Sequence, residues 1–290
     1  MSARRMAAAG LLIVCGCAHE EPARARSVLL VTLDTVRRDA LSCYGERADT
    51  TPALDRLARE GVVFERAYTT APITLTAHAS LLTGLYPLRH GVRDNGIATL
   101  APAAETLAER ARAGGVQTAA FVGAVVLDRV FGLEQGFELY DGPPAQSEVG
   151  HPGERPAAEV VDGALAWLAR RDRTRPFFLW LHCYDAHHPY APRTPLAPGA
   201  SELERYLAEV RELDGEIGRL LDGLRADGTL EETVVAVTAD HGEAFGEHQE
   251  LTHGPFAWNT TLAIPLVVRF PGGARAGERV HELVSLVDLA

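Results

Sequence analysis

From residue 27 onwards the chain alternates between short apolar runs and longer amphipathic stretches. The apolar runs are candidate strands at residues 28–33, 118–122, 177–182, 233–238 and 264–269. Nearly continuous apolar runs are typical of strands buried on both faces, and helices placed between strands favour parallel pairing. The pattern therefore predicts an α/β fold with a mostly parallel central sheet that helices flank on both faces.

Helix start and stop signals lie between these strands. The clearest helix begins near Ser201, which can form a capping box with Glu204, and apolar residues then recur at helical spacing until Gly228. A second helix follows Pro72 and ends before Gly84. Further helices are predicted from Pro52 and over residues 104–112 and 156–170, whereas 143–153 and 191–199 read as loops.

The net charge of −11 argues against nucleic acid as a partner. All 28 basic residues are arginine, so no catalytic role can fall to a lysine.

The N-terminal segment has the features of an export signal. A pair of arginines precedes an apolar stretch that is too short to span a bilayer, and Val14-Cys15-Gly16-Cys17 resembles a bacterial lipobox. We expect residues 1–17 to be a signal peptide with lipidation at Cys17, and residues 18–26 to be a tether. The alternative is a plain signal peptide cleaved nearby. On the first interpretation the protein is an exported lipoprotein of the periplasm or cell envelope that contacts the membrane through its anchor.

We expect residues 27–290 to form one α/β domain. Its two cysteines, Cys43 and Cys183, are compatible with a disulfide or with two buried thiols. The chain stops within an apolar stretch, from which we expect the C-terminal part of the domain to be missing.

Two of the predicted strands end in acidic residues. The first apolar run is followed by Asp34, and the run before residue 238 leads to Asp240 and His241. Carboxyl ends of parallel strands meet at one edge of a sheet, where the clefts of α/β folds open. Carboxylate and imidazole groups are metal ligands, so the sequence predicts a divalent metal site at this edge.

The predicted helix after Pro72 begins with hydroxyl groups. Thr74 and Thr76 lie beside the free N–H groups of a helix start, which suit an anion such as phosphate or sulfate. On local sequence alone, either residue can instead be an N-cap with no further role.

Several motifs, in the same order along the chain, resemble the sulfatase branch of the alkaline-phosphatase superfamily. They are Leu33-Asp34-Thr35, the segment 74–84, His90-Gly91-Val92 with Asn95-Gly96, Asp185-Ala186-His187-His188-Pro189-Tyr190, the segment 240–248, His253-Gly254 and the segment 264–272. The resemblance implies an alkaline-phosphatase-like fold and a hydrolase acting on sulfuric or phosphoric esters.

The resemblance also implies roles for individual residues. Thr74 stands at the family's nucleophile, the first position of C/S-x-P-S-R, which here reads Thr74-Leu75-Thr76-Ala77-His78. Sulfatases oxidise Cys or Ser there to formylglycine, which threonine cannot form by the same chemistry. Threonine is the nucleophile in phosphoethanolamine transferases and some phosphoesterases. His187 matches a histidine that contacts the transferred group, His253 replaces a catalytic lysine, and His78 replaces the arginine and is expected to bind the anion.

The implied metal ligands are Asp34, Thr74, Asp240 and His241. This mixture of ligands favours Zn²⁺ or Mn²⁺, while Ca²⁺, which prefers all-oxygen shells, is possible. We expect a metal-dependent sulfatase-like hydrolase that acts through Thr74 on phospho- or sulfo-esters of small molecules, glycans or lipids. The alternatives are a phosphotransferase of the phosphoethanolamine-transferase type, or a non-catalytic lipoprotein remnant, which the missing arginine and lysines would favour.

Overall fold

A nine-stranded sheet forms the centre of the protein in the computed structural model, which describes residues 26–45, 50–143 and 154–290. Its strands are β1 (Ser27–Leu33), β2 (Val62–Tyr68), β3 (Gln117–Val122), β4 (Leu139–Asp141), β5 (Phe177–Cys183), β6 (Thr233–Ala239), β7 (Ala263–Ile264), β8 (Leu266–Arg269) and β9 (Glu278–Ser285). They lie in the order β4-β3-β5-β1-β6-β8-β2-β7, with β9 beside β2. The first five strands of this order pair in parallel, and β8 joins β6 antiparallel, so the sheet is mostly parallel as predicted.

Helices flank the sheet, and two groups of them pack together. They are α1 (Pro52–Glu60), α2 (Thr74–Thr83), α3 (Pro87–His90), α4 (Leu107–Ala113), α5 (Ala157–Arg170), α6 (Glu202–Ala226) and α7 (Asn259–Leu262). Helices α1 and α5 pack on α6, while α2 contacts α4. Strands β3 and β5 are buried along their whole length, which requires cover on both faces and confirms the predicted α/β class.

The predicted helix signals operate in the structure. Ser201 and Glu204 form the capping box at the start of α6, and Gly228 follows its end with a left-handed φ of 76°. Gly84 ends α2 with φ 69°, and its N–H donates to the carbonyl of Ser80. Every residue of α2 is buried, so this helix passes through the interior and carries its first residue, Thr74, to the edge of the sheet.

Proline explains why one predicted strand is broken in the structure. The run 264–269 divides at Pro265 into β7 and β8, because proline has no N–H to donate to a neighbouring strand. Strands β2, β4 and β9 were not predicted. The interior of β2 carries Glu65 and Arg66, and β9 is largely exposed, so neither has the apolar pattern of a buried strand.

The strand register brings distant parts of the chain to one edge. Leu33 pairs with both Cys183 and Ala239, so β1, β5 and β6 end level with one another. Asp34 and Asp240 are the residues that follow, and they therefore emerge side by side.

Cys43 and Cys183 are both free thiols. The predicted signal peptide, nearly all of the tether and most of the loop 143–153 lie outside the described residues. Among the described helices, none is both long and apolar enough to cross a membrane.

Candidate active site

Asp34 and Asp240 form the floor of the site, and both side chains are fully buried. The N–H groups of Thr35 and His241 donate to Oδ1 of Asp240 over 3.2 and 2.7 Å. Within the described residues, Oδ2 of Asp240 and both carboxylate oxygens of Asp34 accept no hydrogen bond. Burial raises the pKa of each carboxyl group to about 6. Buried oxygens of this kind are costly unless a cation or a donor compensates them.

His241 turns an unprotonated nitrogen towards these carboxylates. Its Nδ1 lies 3.0 Å from the carbonyl oxygen of Gly242, which can only accept, so Nδ1 carries the proton. Nε2 then carries the lone pair, and this nitrogen lies 3.4 Å from Oδ2 of Asp240 and 4.0 Å from Oδ1 of Asp34. Burial holds the pKa of His241 well below its ordinary value, which keeps the ring neutral. A neutral histidine with its second nitrogen hydrogen-bonded is the usual form of a metal ligand.

Gly242 is required by the tight packing behind His241. A Cβ atom there would lie 2.1 Å from the carbonyl oxygen of Thr260, and the Gly242 N–H donates to Thr261 over 2.8 Å. Any larger residue would push the segment 240–243 away from Thr260 and Thr261 of α7 and would displace the neighbouring His241.

Thr74 completes the predicted ligand set. Its Oγ1 lies 3.2 Å from Nε2 of His241, and the residue is 2% exposed. Asn95 fixes the helix start by accepting the N–H of Leu75 through Oδ1 over 2.9 Å. The structure therefore brings together Asp34, Thr74, Asp240 and His241. Two carboxylates with unpaired oxygens, a neutral imidazole and a hydroxyl fit a divalent cation.

His78 lies on the inner side of this group and is fully buried. Its Nδ1 donates to the carbonyl oxygen of Thr74 over 2.7 Å, and its Nε2 lies 3.0 Å from Oγ1 of Thr32. Trp180 donates its indole N–H to the same Thr32 oxygen over 3.0 Å. Burial lowers the pKa of His78 to about 3. A neutral ring with both nitrogens engaged does not support the expectation that His78 binds the substrate anion; it ties the backbone of Thr74 to the core.

His253 and Glu243 form a second pair at the opening of the site. Nδ1 of His253 lies 3.2 Å from Oε1 of Glu243, whose Oε2 accepts the Tyr190 hydroxyl over 3.1 Å. Burial lowers the pKa of His253, but the hydrogen bond to Glu243 and the charge of that carboxylate outweigh it, and the net shift is upward. The ring centre of His253 lies 4.4 Å from that of His241, so the pair is next to the buried group.

His187 lies beside His253, with ring centres 5.3 Å apart in an edge-to-face contact. Its ring stacks on Tyr184 at 4.5 Å, and its Nδ1 contacts the Tyr184 hydroxyl at 2.8 Å and the carbonyl oxygen of His188 at 2.7 Å. Both of these polar contacts are made by Nδ1. By contrast, His248 is exposed and stacks on Trp258.

One residue of the site was missed by sequence reasoning. His182, the penultimate residue of β5, is fully buried, and its Nε2 lies 3.2 Å from Oδ2 of Asp34. The sequence did contain a signal, since His182 ends the predicted strand 177–182. However, an apolar run does not distinguish a histidine of a functional site from one that only packs in the core.

Comparison with known proteins places these residues in a family context. A family model described as Sulfatase matches residues 26–290. N-acetylgalactosamine-6-sulfatase of Homo sapiens is 27% identical over 91% of this chain and 60% of its own length. The ulvan-active sulfatase of Formosa agariphila is 28% identical over 93% of this chain and 61% of its own. This chain thus spans about 60% of the length of these curated relatives.

Solved structures agree in fold. The phosphonate monoester hydrolase of Agrobacterium radiobacter superposes with a TM-score of 0.75 at 24% identity, covering 91% of this chain and 72% of that one. A protein in complex with its substrate D-glucosamine-2-N,6-O-disulfate gives a TM-score of 0.78 at 20% identity, covering 92% and 75%.

Proposed function

Because the chain belongs to the sulfatase family, we propose that it is a metal-dependent hydrolase of phospho- or sulfo-esters in which Thr74 is the nucleophile. The observation that carries the proposal is the position of Thr74 Oγ1, 3.2 Å from Nε2 of His241 beside two buried carboxylates. The hydroxyl stands where a family sulfatase would carry formylglycine, and it cannot become that aldehyde by the same chemistry. A direct alkoxide attack is the mechanism that a threonine can support.

The proposed metal ligands are Asp34, Thr74, Asp240 and His241, with Zn²⁺ or Mn²⁺ favoured and Ca²⁺ possible. The unpaired oxygens of the two aspartates support a cation at this place. When bound, a divalent ion lowers the pKa of a hydroxyl and neutralises the oxygens of a phosphoryl or sulfuryl group.

The Thr74 backbone is held by His78, whose Nδ1–H donates to its carbonyl oxygen over 2.7 Å. In the first step the Thr74 hydroxyl gives up its proton to solvent, a bond forms between its Oγ and the phosphorus or sulfur, and the bond to the ester oxygen breaks. His253 donates a proton to that oxygen, because its Nδ1 is occupied by Glu243 and its Nε2 is free to face the substrate. Nε2 of His187 contacts an oxygen of the transferred group. Water then releases the group from Thr74 and restores the hydroxyl.

The substrates we propose are esters of small molecules, glycans or lipids. The relatives named for glycan sulfates agree with this class, but the chain spans only part of their length. Transfer to an acceptor other than water is the second candidate, and threonine at position 74 is the observation that favours it. For the location we propose the cell envelope, with Cys17 as the lipidated residue.

A substrate panel tests the proposal. Purified protein is assayed on aryl phosphate, phosphodiester, phosphonate monoester and aryl sulfate with added Zn²⁺, Mn²⁺ or Ca²⁺, alongside Thr74→Ala. We expect turnover of a phosphorus ester that needs metal and is lost in Thr74→Ala. Turnover of sulfate alone, unaffected by Thr74→Ala, contradicts the threonine mechanism. Protein that binds no metal and turns over no ester is instead the non-catalytic remnant.

A further inference from the structure

His182 is a buried histidine for which the proposed mechanism gives no role. It is fully buried, and neither ring nitrogen makes a hydrogen bond within the described residues. Buried polar side chains without partners are uncommon, since the unpaired group costs free energy relative to water. A buried histidine at the penultimate position of an apolar strand therefore needs an explanation that packing alone does not supply.

Strand geometry aims His182 at Asp34. In the parallel register of β1 and β5, Thr32 pairs with His182, so the two side chains lie on the same face of the sheet. Asp34 is two residues beyond Thr32 and projects towards that face as well. As a result, Nε2 of His182 lies 3.2 Å from Oδ2 of Asp34, within hydrogen-bond distance although the groups are not aligned for a bond.

The two oxygens of Asp34 have different surroundings. Oδ1 lies 4.0 Å from Nε2 of His241, on the side where the proposed ligands gather, whereas Oδ2 faces His182. A metal bound to Oδ1 would leave Oδ2 buried without a hydrogen-bond donor. The Nε2–H of His182, 3.2 Å from Oδ2, is the donor placed to satisfy it.

We propose that His182 is a positioning residue of the metal centre, which donates Nε2–H to Oδ2 of Asp34 and thereby aims Oδ1 at the cation. The inference rests on the proposed metal-dependent function. Carboxylates that bind metals are commonly held by such hydrogen bonds, and loss of the partner costs about 10- to 100-fold in metal affinity.

A direct ligand role for His182 is disfavoured by its neighbours. Donor atoms of His78, His182 and Asp240 lie within 4.8 Å of one another and resemble a second ion site. However, Nδ1 of His78 donates a hydrogen bond to the Thr74 carbonyl, and its Nε2 contacts Thr32. His78 therefore has no nitrogen available as the third ligand of an ion.

Metal titration of three variants tests the inference. His182→Leu removes the hydrogen-bond donor with a side chain of similar size. His182→Gln retains an N–H near the position of Nε2. His281→Leu, on the exposed strand β9, is the control. Zn²⁺ and Mn²⁺ dissociation constants and ion stoichiometry are measured by calorimetry, and Tm without metal reports folding. We expect affinity to fall about 10- to 100-fold in His182→Leu, to stay within a few-fold of wild type in His182→Gln, and stoichiometry to remain unchanged in both.

Three results would overturn the inference. Wild-type affinity in His182→Leu would show that Asp34 needs no partner. Equal losses in the Leu and Gln variants, with one ion fewer per chain, would make His182 a ligand. If His182→Leu does not fold, His182→Gln alone decides through the absorption spectrum of bound Co²⁺: an unchanged spectrum supports positioning, and a changed one contradicts it. If the wild type binds no ion, the proposed metal centre itself is wrong. If the wild type binds an ion and His182→Leu binds it equally well, only the role of His182 is wrong.

Discussion

Nδ1 of His253 lies 3.2 Å from Oε1 of Glu243, a carboxylate that is 1% exposed. The pair resembles the carboxylate–imidazole units that fix a histidine's tautomer and ring orientation. The ring of His253 also lies 4.4 Å, centre to centre, from that of His241, and in the proposed mechanism its Nε2 faces the ester.

Replacing His253 by alanine is expected to slow turnover according to the leaving group. A general acid contributes about 10²- to 10⁴-fold when the departing oxygen is a poor leaving group, and little when it leaves readily as a nitrophenolate. We therefore expect a large fall in kcat for alkyl esters and a small one for nitrophenyl esters. The measurement is kcat over a series of leaving groups, with His281→Ala as control. An equal loss across the series would contradict an acid role.

Glu243→Gln is expected to act only through His253. Loss of one charge-assisted hydrogen bond is worth about 1.5 kcal/mol, or about 10-fold in kcat, with the same leaving-group dependence as His253→Ala. Because the residues form one unit, the double variant should be no slower than His253→Ala. Additive losses would show that Glu243 has a separate role.

Asp240→Asn should separate metal binding from folding. Oδ1 of an asparagine can still accept the two backbone N–H groups, while the buried negative charge beside Asp34 is removed. We expect a higher Tm than wild type without metal and no rise on adding metal. Wild type should gain about 2.7 kcal/mol of unfolding free energy at a metal concentration 100 times its Kd. Asp222→Asn is the exposed control, and a wild-type response to metal in Asp240→Asn would rule out this carboxylate as a ligand.

Glu209 on α6 gives a prediction for pH. The N–H of Ala191 donates to its Oε1 over 2.6 Å, while Oε2 makes no hydrogen bond with any described residue. Burial raises the pKa of the carboxyl from 4.5 to about 8. Between these values the folded state holds a proton that the unfolded state has lost, so the unfolding free energy falls as pH rises.

Glu209→Gln keeps the acceptor and removes this ionisation. The fall in Tm from about pH 5 to about pH 8 should therefore be smaller in Glu209→Gln than in wild type. The exposed Glu202→Gln on the same helix should behave like wild type. Equal slopes for Glu209→Gln and wild type would show that Glu209 is not buried in the protonated form.

The fold was largely predictable because its central strands are apolar on both faces. The five predicted strands all form, and only Pro265 divides one of them. The sequence could not indicate β9, whose residues are mostly exposed and which is held by pairing with β2. Such a strand depends on its neighbour rather than on its own pattern.

The site was predictable where chemistry follows a strand end. Asp34 and Asp240 with His241 were placed by that rule, and Thr74 by family resemblance. The inner side of the site was not predictable, because Thr32, which contacts His78, and Asp34, which lies beside His182, are distant from them in sequence. Which nitrogen of a buried histidine is free depends on contacts that only the folded chain creates.

Capture of a covalent adduct is the most direct test of Thr74 as the nucleophile. A phosphate ester of threonine survives acid, so acid quenching during turnover followed by peptide mass spectrometry can locate the transferred group. We predict an added phosphoryl or sulfuryl group on Thr74, present in Thr76→Ala and absent in Thr74→Ala. Turnover with no adduct on Thr74, or an adduct elsewhere that persists in Thr74→Ala, would show that Thr74 is not the nucleophile.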